Sequence, residues 1–516
     1  MRIERRLRRS MKKHRWTWAN IIVRRTAAGI AGIAGLALAV TAQPGSENPA
    51  PRNVLFLIAD DLNTLLGCYG DPRAKTPHLD RLARRGVRFE RAYCAFPLCG
   101  PSRNSLLTGL YPNATGVLAN GQIFRQTIPS QPSLPQVFRQ KGYFAGRIGK
   151  LYHYNVPASI GTDGHDDPAS WELELNPLGV DRLEEQPMIT TLVPGQFGPT
   201  LSWHASREPD ERHTDGLVAR DAEWVLERMA RQRDRPFFLA VGFFRPHTPF
   251  VAPKTPYFDY YPEAEMPIVR GVEDDQADIP ARALASAKPE EAAMSDAQRR
   301  QAVQAYYASI SFMDAQVGRV LDALDRLGLA DSTVIVFTSD HGYHLGEHGL
   351  WQKRSLFEES ARVPLLIVAP GVSKAGMAAA APVSLTDLFP TLTELCGLTA
   401  PANLQGQSLV PILRDPRVIG RGWAITQTVH NGASGYSLRT PRWRYTEWDE
   451  GEGRELYDHD TDPKELTNLA SRAAHAETID ELSTQLHAAI GATFPPNGKR
   501  PAVREGGLWH PTLLTP

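Results

Sequence analysis

Residues 53–59 read NVLFLIA, an unbroken apolar run between Pro51 and the carboxylates Asp60 and Asp61. Such a run, with no polar alternation, predicts a strand buried on both faces, as in a parallel sheet covered by helices. A second run, Ser332–Thr338, leads into Ser339, Asp340, His341 and Gly342. Upstream, Tyr306, Ile310, Met313, Val317, Val320, Leu321 and Leu324 recur at helical spacing and predict a long amphipathic helix over Arg299–Leu327. Further strands are expected at Pro236–Phe244 and Val363–Val368, with helices at His78–Gly86, Ser102–Gly109, Leu134–Lys141 and Asp215–Ala230. This alternation predicts an α/β fold, a large and mostly parallel sheet flanked by helices. Ligands gather at the carboxyl ends of such strands, so two strands ending in metal-type ligands point to one site.

Residues 255–300 are rich in Pro, Ala and acids, without a sustained period, and read as a long surface excursion. After Gly420 the pattern changes to short alternating runs at Trp423–Thr428, Tyr436–Arg439, Trp443–Trp448 and Arg454–Tyr457, then a helix over Ala474–Ile490. A smaller antiparallel sheet with a helix is expected there. The resulting division is a leader at 1–42, a main α/β part at 43–420, a C-terminal subdomain at 421–495 and an extended tail at 496–516. No internal repeat is present.

Composition changes this picture mainly at the amino terminus. The 57 basic and 57 acidic residues cancel, yet ten Lys and Arg stand within the first 25 positions against the single acid Glu4. Beyond residue 42 there remain 47 basic and 56 acidic residues, a net charge of −9. An acidic body argues against binding nucleic acid through an overall basic field. The basic start, the apolar run Ala27–Val40 and the small residues Val40, Thr41 and Ala42 read as a signal peptide, with the mature chain beginning near Gln43. An uncleaved anchor is the alternative, although the run is shorter than the ~20 apolar residues of a comfortable span. Met11 is a candidate start, and Arg24-Arg25 suggests twin-arginine export without a strong surrounding motif. A periplasmic or secreted protein, meeting a membrane only during export, is expected. Cys68, Cys94, Cys99 and Cys396 are too few to staple a chain this long. Cys68, Cys94 and Cys396 read as small hydrophobes, with a Cys94 disulfide as an alternative.

Asp60 and Asp61, alone, would read as a helix cap and a surface charge. With Asp340 and His341 on the second strand they favour a divalent cation, and oxygen-dominated ligation suits Ca²⁺ or Mg²⁺. The sharpest motif is Cys99-Gly100-Pro101-Ser102-Arg103, followed by Leu106, Leu107, Thr108 and Gly109. This string resembles the modification signal of the formylglycine-dependent sulfatases, of the alkaline phosphatase superfamily. The resemblance covers nearly the whole mature chain and is closest to the iduronate-2-sulfatase branch. Matching stretches include Ala59–Leu62, Leu66–Asp71, Gly149–His153, Phe237–Gly242, Arg245–Phe250, Ser339–Gly342, Leu345–Gly349, Trp351–Lys353 and Gly435–Thr440.

The resemblance implies that Cys99 is oxidised to formylglycine by a maturation enzyme and that the aldehyde hydrate supplies the nucleophile. It implies that Asp60, Asp61, Asp340 and His341 hold a cation, Ca²⁺ with Mg²⁺ as the alternative, which also touches the group made from Cys99. Arg103 lowers the cost of the alkoxide, and Lys150, Lys353 and His247 surround the sulfate. His247 and Lys353 are the candidates to protonate the leaving alcohol. His153 matches the base that regenerates the aldehyde. Tyr343 and Trp351 are candidate sugar-contact aromatics, His344 and His348 candidate rim residues, and Arg439 or Arg442 a candidate partner for a substrate carboxylate. The implied substrate is a sulfated carbohydrate such as a glycosaminoglycan, with a 2-sulfated uronate first among candidates. Two readings compete: a phosphonate or phosphate ester hydrolase on the same aldehyde site, and a noncatalytic carbohydrate-binding protein if Cys99 stays a thiol.

Overall fold

The computed structural model describes residues 52–431, 433–449 and 453–504. The expected leader at 1–42 and the end of the expected tail, 505–516, lie outside them. The expected apolar run at 53–59 is strand β1 (Asn53–Ala59) of an eight-stranded sheet. Its companions are β2 (Val87–Phe89), β3 (Phe144–Gly149), β4 (Leu173–Leu175), β5 (Phe237–Gly242), β6 (Thr333–Ser339), β7 (Leu365–Val368) and β8 (Met377–Ala379). They lie in the order β8-β2-β7-β6-β1-β5-β3-β4. β1 runs parallel to β6 with Ala59 opposite Ser339, and parallel to β5 with Ile58 opposite Gly242. Only β7 is reversed, lying antiparallel to both β6 and β2.

Strand side chains alternate between faces, so each central strand feeds two cores. Leu55, Leu57 and Ala59 of β1, with Ile335 and Phe337 of β6, join one apolar cluster with α1 (Pro77–Arg85), α4 (Thr214–Arg231) and α5 (Asp296–Arg326). Val54, Phe56 and Ile58, with Val334 and Val336, join another with α2 (Cys99–Thr108), α3 (Leu134–Gln140) and α6 (Leu388–Leu395). This two-sided burial is why β1 and β6 show no polar alternation. All seven residues spaced along α5 face the core with no solvent exposure.

Three expectations are corrected. The helix expected from Ser102 begins at Cys99, because Pro101 sits in the first turn, where its missing N–H costs nothing. The strand expected at Val363–Val368 is split at Pro364: Arg362–Val363 pairs with Ala92–Tyr93, and β7 starts at Leu365. Pro364 has no N–H to continue a ladder. The excursion at 255–300 is not purely superficial. It is a string of single turns anchored by buried Tyr257, Phe258, Tyr261, Met266, Ile279 and Met294. Isolated anchors of this kind leave no period to read.

Beyond residue 420, β9 (Ala424–His430), β10 (Ala433–Arg439), β11 (Trp443–Trp448) and β12 (Gly453–Asp458) form an antiparallel meander. Helix α7 (Ala476–Ala492) covers it, packing Ile479, Leu482 and Leu486 on Ile425, Leu438, Tyr445 and Leu456. Ala95 and Tyr111 share that cluster, and Gln427 N–H donates to the Ala95 carbonyl at 3.0 Å. The sheet is thereby held against the segment that leads into Cys99. All four cysteines are free thiols, Cys94 buried and Cys68 and Cys396 half-buried.

Candidate active site

Because β1 and β6 are parallel and in register to their last residues, Asp60-Asp61 and Asp340-His341 emerge side by side. The turn after β1 bends at Asp61, whose φ of 64° lies in the left-handed region that aspartate tolerates better than most residues. It is pinned from several sides. Asp61 N–H donates to Asp340 Oδ1 at 3.1 Å, and the Tyr306 hydroxyl of α5 donates to the Asp61 carbonyl at 2.8 Å. Leu62 N–H donates to Ser339 Oγ at 2.9 Å.

Arg103, one turn into α2 and wholly buried, locks the strand ends together. Its Nε donates to Asp340 Oδ2 at 2.8 Å and its Nη2 to Asp60 Oδ1 at 2.9 Å, while Nη1 reaches the carbonyls of Lys150 and Leu151. Lys150 follows β3 at a point where two backbones touch. A Cβ on Gly149 would stand 2.1 Å from the Gly242 carbonyl oxygen, and the φ of Gly149 is +70°. This approach lets Lys150 N–H bond Gly242 and its ammonium donate to Asp60 Oδ2.

Cys99 opens α2 with its thiol among the ligands. Its Sγ lies 3.3 Å from His341 Nε2, 3.6 Å from Lys353 Nζ and 3.8 Å from Asp61 Oδ1. A group at the start of a ten-residue helix also feels the positive end of its dipole. Lys353 Nζ donates to Asp61 Oδ2 at 2.6 Å, and His247 Nε2 stands 3.8 Å from the same oxygen. The remaining sequence candidate, His153, is buried beside them. Its Nε2 meets Asn155 Oδ1 at 3.1 Å, and its buried Nδ1 has no hydrogen-bond partner among the described residues.

The donor set fits a divalent cation. Asp61, Cys99, Asp340 and His341 offer atoms within 4.8 Å of one another, as do Asp60, Asp61 and His247. His341 Nδ1 is held to the Gly342 carbonyl at 2.9 Å, which turns Nε2 inward, the orientation ligating imidazoles usually have. Electrostatics point the same way. Burial pushes the Asp61 carboxyl up to about 7, against the pull of Lys353 and His341. Burial would also raise Asp60 and Asp340, but Lys150, His247 and Arg103 hold Asp60 well below the usual carboxylate range, and Arg103 and His341 hold Asp340 down. Burial would raise the Cys99 thiol, yet Lys150 and Lys353 outweigh it and lower its pKa. His153 is pushed down to about 3 by burial and then by Lys150, and His247 falls by burial and Lys353. His153 is thus a neutral base at neutral pH.

The structure therefore gathers all ten candidates: Asp60, Asp61, Cys99, Arg103, Lys150, His153, His247, Asp340, His341 and Lys353. Several peripheral candidates fall away. Tyr343 is fully buried and stacks on Tyr306 at 5.2 Å between ring centroids, and Trp351 is in the same core. His344 and His348 are buried too, His344 bonding Ser355 Oγ and His348 bonding Asp275. Arg439 is buried with its Nε 3.5 Å from Glu358, and Arg442 pairs with Asp458 at 2.6 Å, so neither guanidinium awaits a substrate. Sequence reasoning missed Asn120, whose Oδ1 accepts from Gly100 N–H at 2.8 Å, and the Tyr306 clamp. Asn120 carried no signal, whereas Tyr306 lay in the helical pattern and read only as core.

Comparison with known proteins agrees with this geometry. Residues 52–398 match the family described as Sulfatase, and residues 346–491 match the family described as N-sulphoglucosamine sulphohydrolase, C-terminal. A sulfatase of Formosa agariphila is 35% identical, over 84% of this chain and 86% of its own. The iduronate 2-sulfatase of Mus musculus is 31% identical, over 87% of this chain and 96% of its own. Among solved structures, a phosphonate monoester hydrolase of Agrobacterium radiobacter superposes with a TM-score of 0.71 at 26% identity, over 86% of this chain and 96% of its own. With a family match across the whole large sheet, and relatives above 30% identity across most of the chain, this protein belongs to the sulfatase family, enzymes that hydrolyse sulfuric esters.

Proposed function

We propose that this sulfatase removes sulfate from a sulfated carbohydrate, with a 2-sulfated uronate as the first candidate. The observation that carries the proposal is Cys99 at the start of α2, within 3.8 Å of Asp61, His341 and Lys353. Converted to formylglycine and hydrated, the Cys99 position would supply a nucleophilic hydroxyl, and a divalent cation beside it would supply a Lewis acid. Asp60, Asp61, Asp340 and His341 would hold that cation, Ca²⁺ before Mg²⁺ since three carboxylates make an oxygen-rich site. Arg103 fixes two of those carboxylates. Lys150 and Lys353 bring positive charge to the equatorial oxygens of the sulfuryl group, where charge accumulates as the ester bond breaks. Lys353 or His247 hands a proton to the leaving oxygen. His153, neutral and with a free Nδ1, takes the proton that restores the resting site. The uronate is supported by the relative named iduronate 2-sulfatase.

A second reading, a phosphonate monoester hydrolase, is favoured by the solved relative of that name at 26% identity. Rates on matched sulfate and phosphonate esters, alongside a panel of sugars sulfated at single positions, separate the two. Faster phosphonate cleavage would overturn the sulfatase reading, and activity confined to sulfated hexosamines or galactose would overturn the uronate. Export to the periplasm or beyond, after removal of residues 1–42, completes the proposal. Amino-terminal sequencing of the mature protein should start near Gln43, and a product retaining Arg24-Arg25 would contradict it.

A further inference from the structure

Lys353 is flanked by two residues in a backbone conformation that side chains rarely adopt, Gln352 at φ 67° and Arg354 at φ 79°. Such strain persists where the surroundings impose it, and it concentrates at ligand sites. Gln352 turns inward: its Nε2 donates to Glu291 and lies 3.3 Å from the Pro199 carbonyl. Arg354 does otherwise. It is half-buried, its Nε has no hydrogen-bond partner, and among the described residues no carboxylate pairs with it. Three buried guanidiniums of the large sheet's flank are by contrast committed: Arg103 to Asp60 and Asp340, Arg147 to Asp166, Arg245 to Asp181.

Two further basic groups reach the same corner from separate elements, Lys288 through the Pro199 carbonyl that Gln352 also approaches and His430 through a hairpin fastened at Ala285. Lys288, on the 255–300 excursion, donates to the same Pro199 carbonyl at 2.5 Å and lies 3.5 Å from Glu291. His430 ends β9, and the next residue, Asn431, fastens that hairpin to the Ala285 carbonyl at 3.1 Å. Both side chains are half-buried. Burial first, then the charges of Arg354 and Lys288, push the His430 imidazole down to about 4. Burial lowers Lys288 as well, and Lys353 adds to that by repulsion. Two carboxylates act on Lys288: Glu291, already engaged by Gln352 and Lys288, and its neighbour Glu290.

We propose that Arg354, Lys288 and His430 form a second anion subsite beside the sulfate-binding lysines. It takes a carboxylate or a second sulfate carried on the sugar whose sulfate is cleaved, or on its immediate neighbour. A half-buried guanidinium without a protein carboxylate forms a charge-assisted bond to such a group without first giving up another. The subsite rests on the sulfatase reading and adds that the preferred substrate is at least a dianion.

Binding to a Cys99→Ala background tests this without turnover. The ligands are a 2-O-sulfated hexuronate, the same sugar with its carboxyl reduced to the alcohol, and that reduced sugar carrying a second sulfate, each titrated by calorimetry. The expected result is tighter binding of both dianions than of the monoanion. Arg354→Asn, a residue that accepts left-handed backbone, should weaken the dianions roughly tenfold to a hundredfold and erase the preference, with Arg354→Lys recovering part of it. Equal losses on monoanion and dianion, or no preference in the background protein, would overturn the subsite. Sulfate release from the three esters by protein with Cys99 intact reports the sulfatase reading separately. If that release fails while the dianion preference holds, the sulfatase reading falls and the anion subsite stands.

Discussion

Arg103 is the one guanidinium that bridges Asp60 and Asp340 among the described residues, while Lys150 also pairs with Asp60 and His341 stands 3.6 Å from Asp340. Its planar fork spans Asp60 and Asp340 while a second edge holds two carbonyls of the β3 end. Arg103→Met removes the bridge between Asp60 and Asp340, leaving Lys150 and His341 to balance them, and should cost about 3–5 kcal/mol in chemical denaturation, besides abolishing sulfate release. Arg103→Lys, a point charge without the fork, should recover little of either. Stability equal to the parent in both variants would show that Lys150 and His341 suffice as counter-charges. Most of the site was legible at this scale because its residues stand at strand ends and in one short motif. Tyr343 and Trp351 were misplaced because an aromatic next to a motif looks the same whether it faces a pocket or, as here, Tyr306 and the core.

Element packing explains what the pattern of residues left out. Helix α5 begins at Asp296 because Ser295 and Gln298 cap each other, a signal present in the sequence just ahead of the apolar repeat. The reversal of β7 was not legible: a four-residue apolar strand reads the same in either direction, and only its pairing with β6 decides. The C-terminal meander was legible as alternating runs, but its attachment was not. Buried Arg444 of β11 pairs with Glu358, ahead of β7, and with Glu465. Burial would raise Glu465, yet Arg444 and His459 hold it down to about 2, and Arg439 and Arg444 hold Glu358 lower still. A carboxyl depressed on folding stabilises the protein above its unfolded pKa, near 4.3, and loses that contribution as pH falls through the folded value. Arg444→Met should therefore cost about 3–5 kcal/mol at neutral pH. The gap to the parent should narrow as pH falls from about 5 toward 2, as protonation relieves the stranded carboxylates. A gap independent of pH, read from denaturation at several pH values, would rule out this ion-pair lock.

At the scale of the whole molecule, an excess of acid along the chain is set against a site where three cations balance three aspartates and a bound divalent cation would leave net positive charge. The chain beyond residue 42 carries a net charge of −9, while Lys150, Lys353 and Arg103 converge at the ends of β1 and β6. On the proposed function, this net charge disfavours a long polyanion and should favour chain ends and short oligosaccharides. Added salt screens the repulsion over a Debye length of about 8 Å at physiological strength, so it should speed sulfate release from polymers more than from disaccharides. An opposite salt response would place polymer-binding charge outside that site. All of this turns on the group at position 99. The most direct measurement is the mass of the Cys99 peptide from active protein made in its natural host, compared with the same peptide carrying an unmodified thiol. The expected peptide has an aldehyde oxygen in place of the thiol and reacts with hydrazide probes, and Cys99→Ala protein is folded but inactive. A free thiol at Cys99 in an enzyme that still releases sulfate would contradict the assignment of Cys99 as the nucleophile.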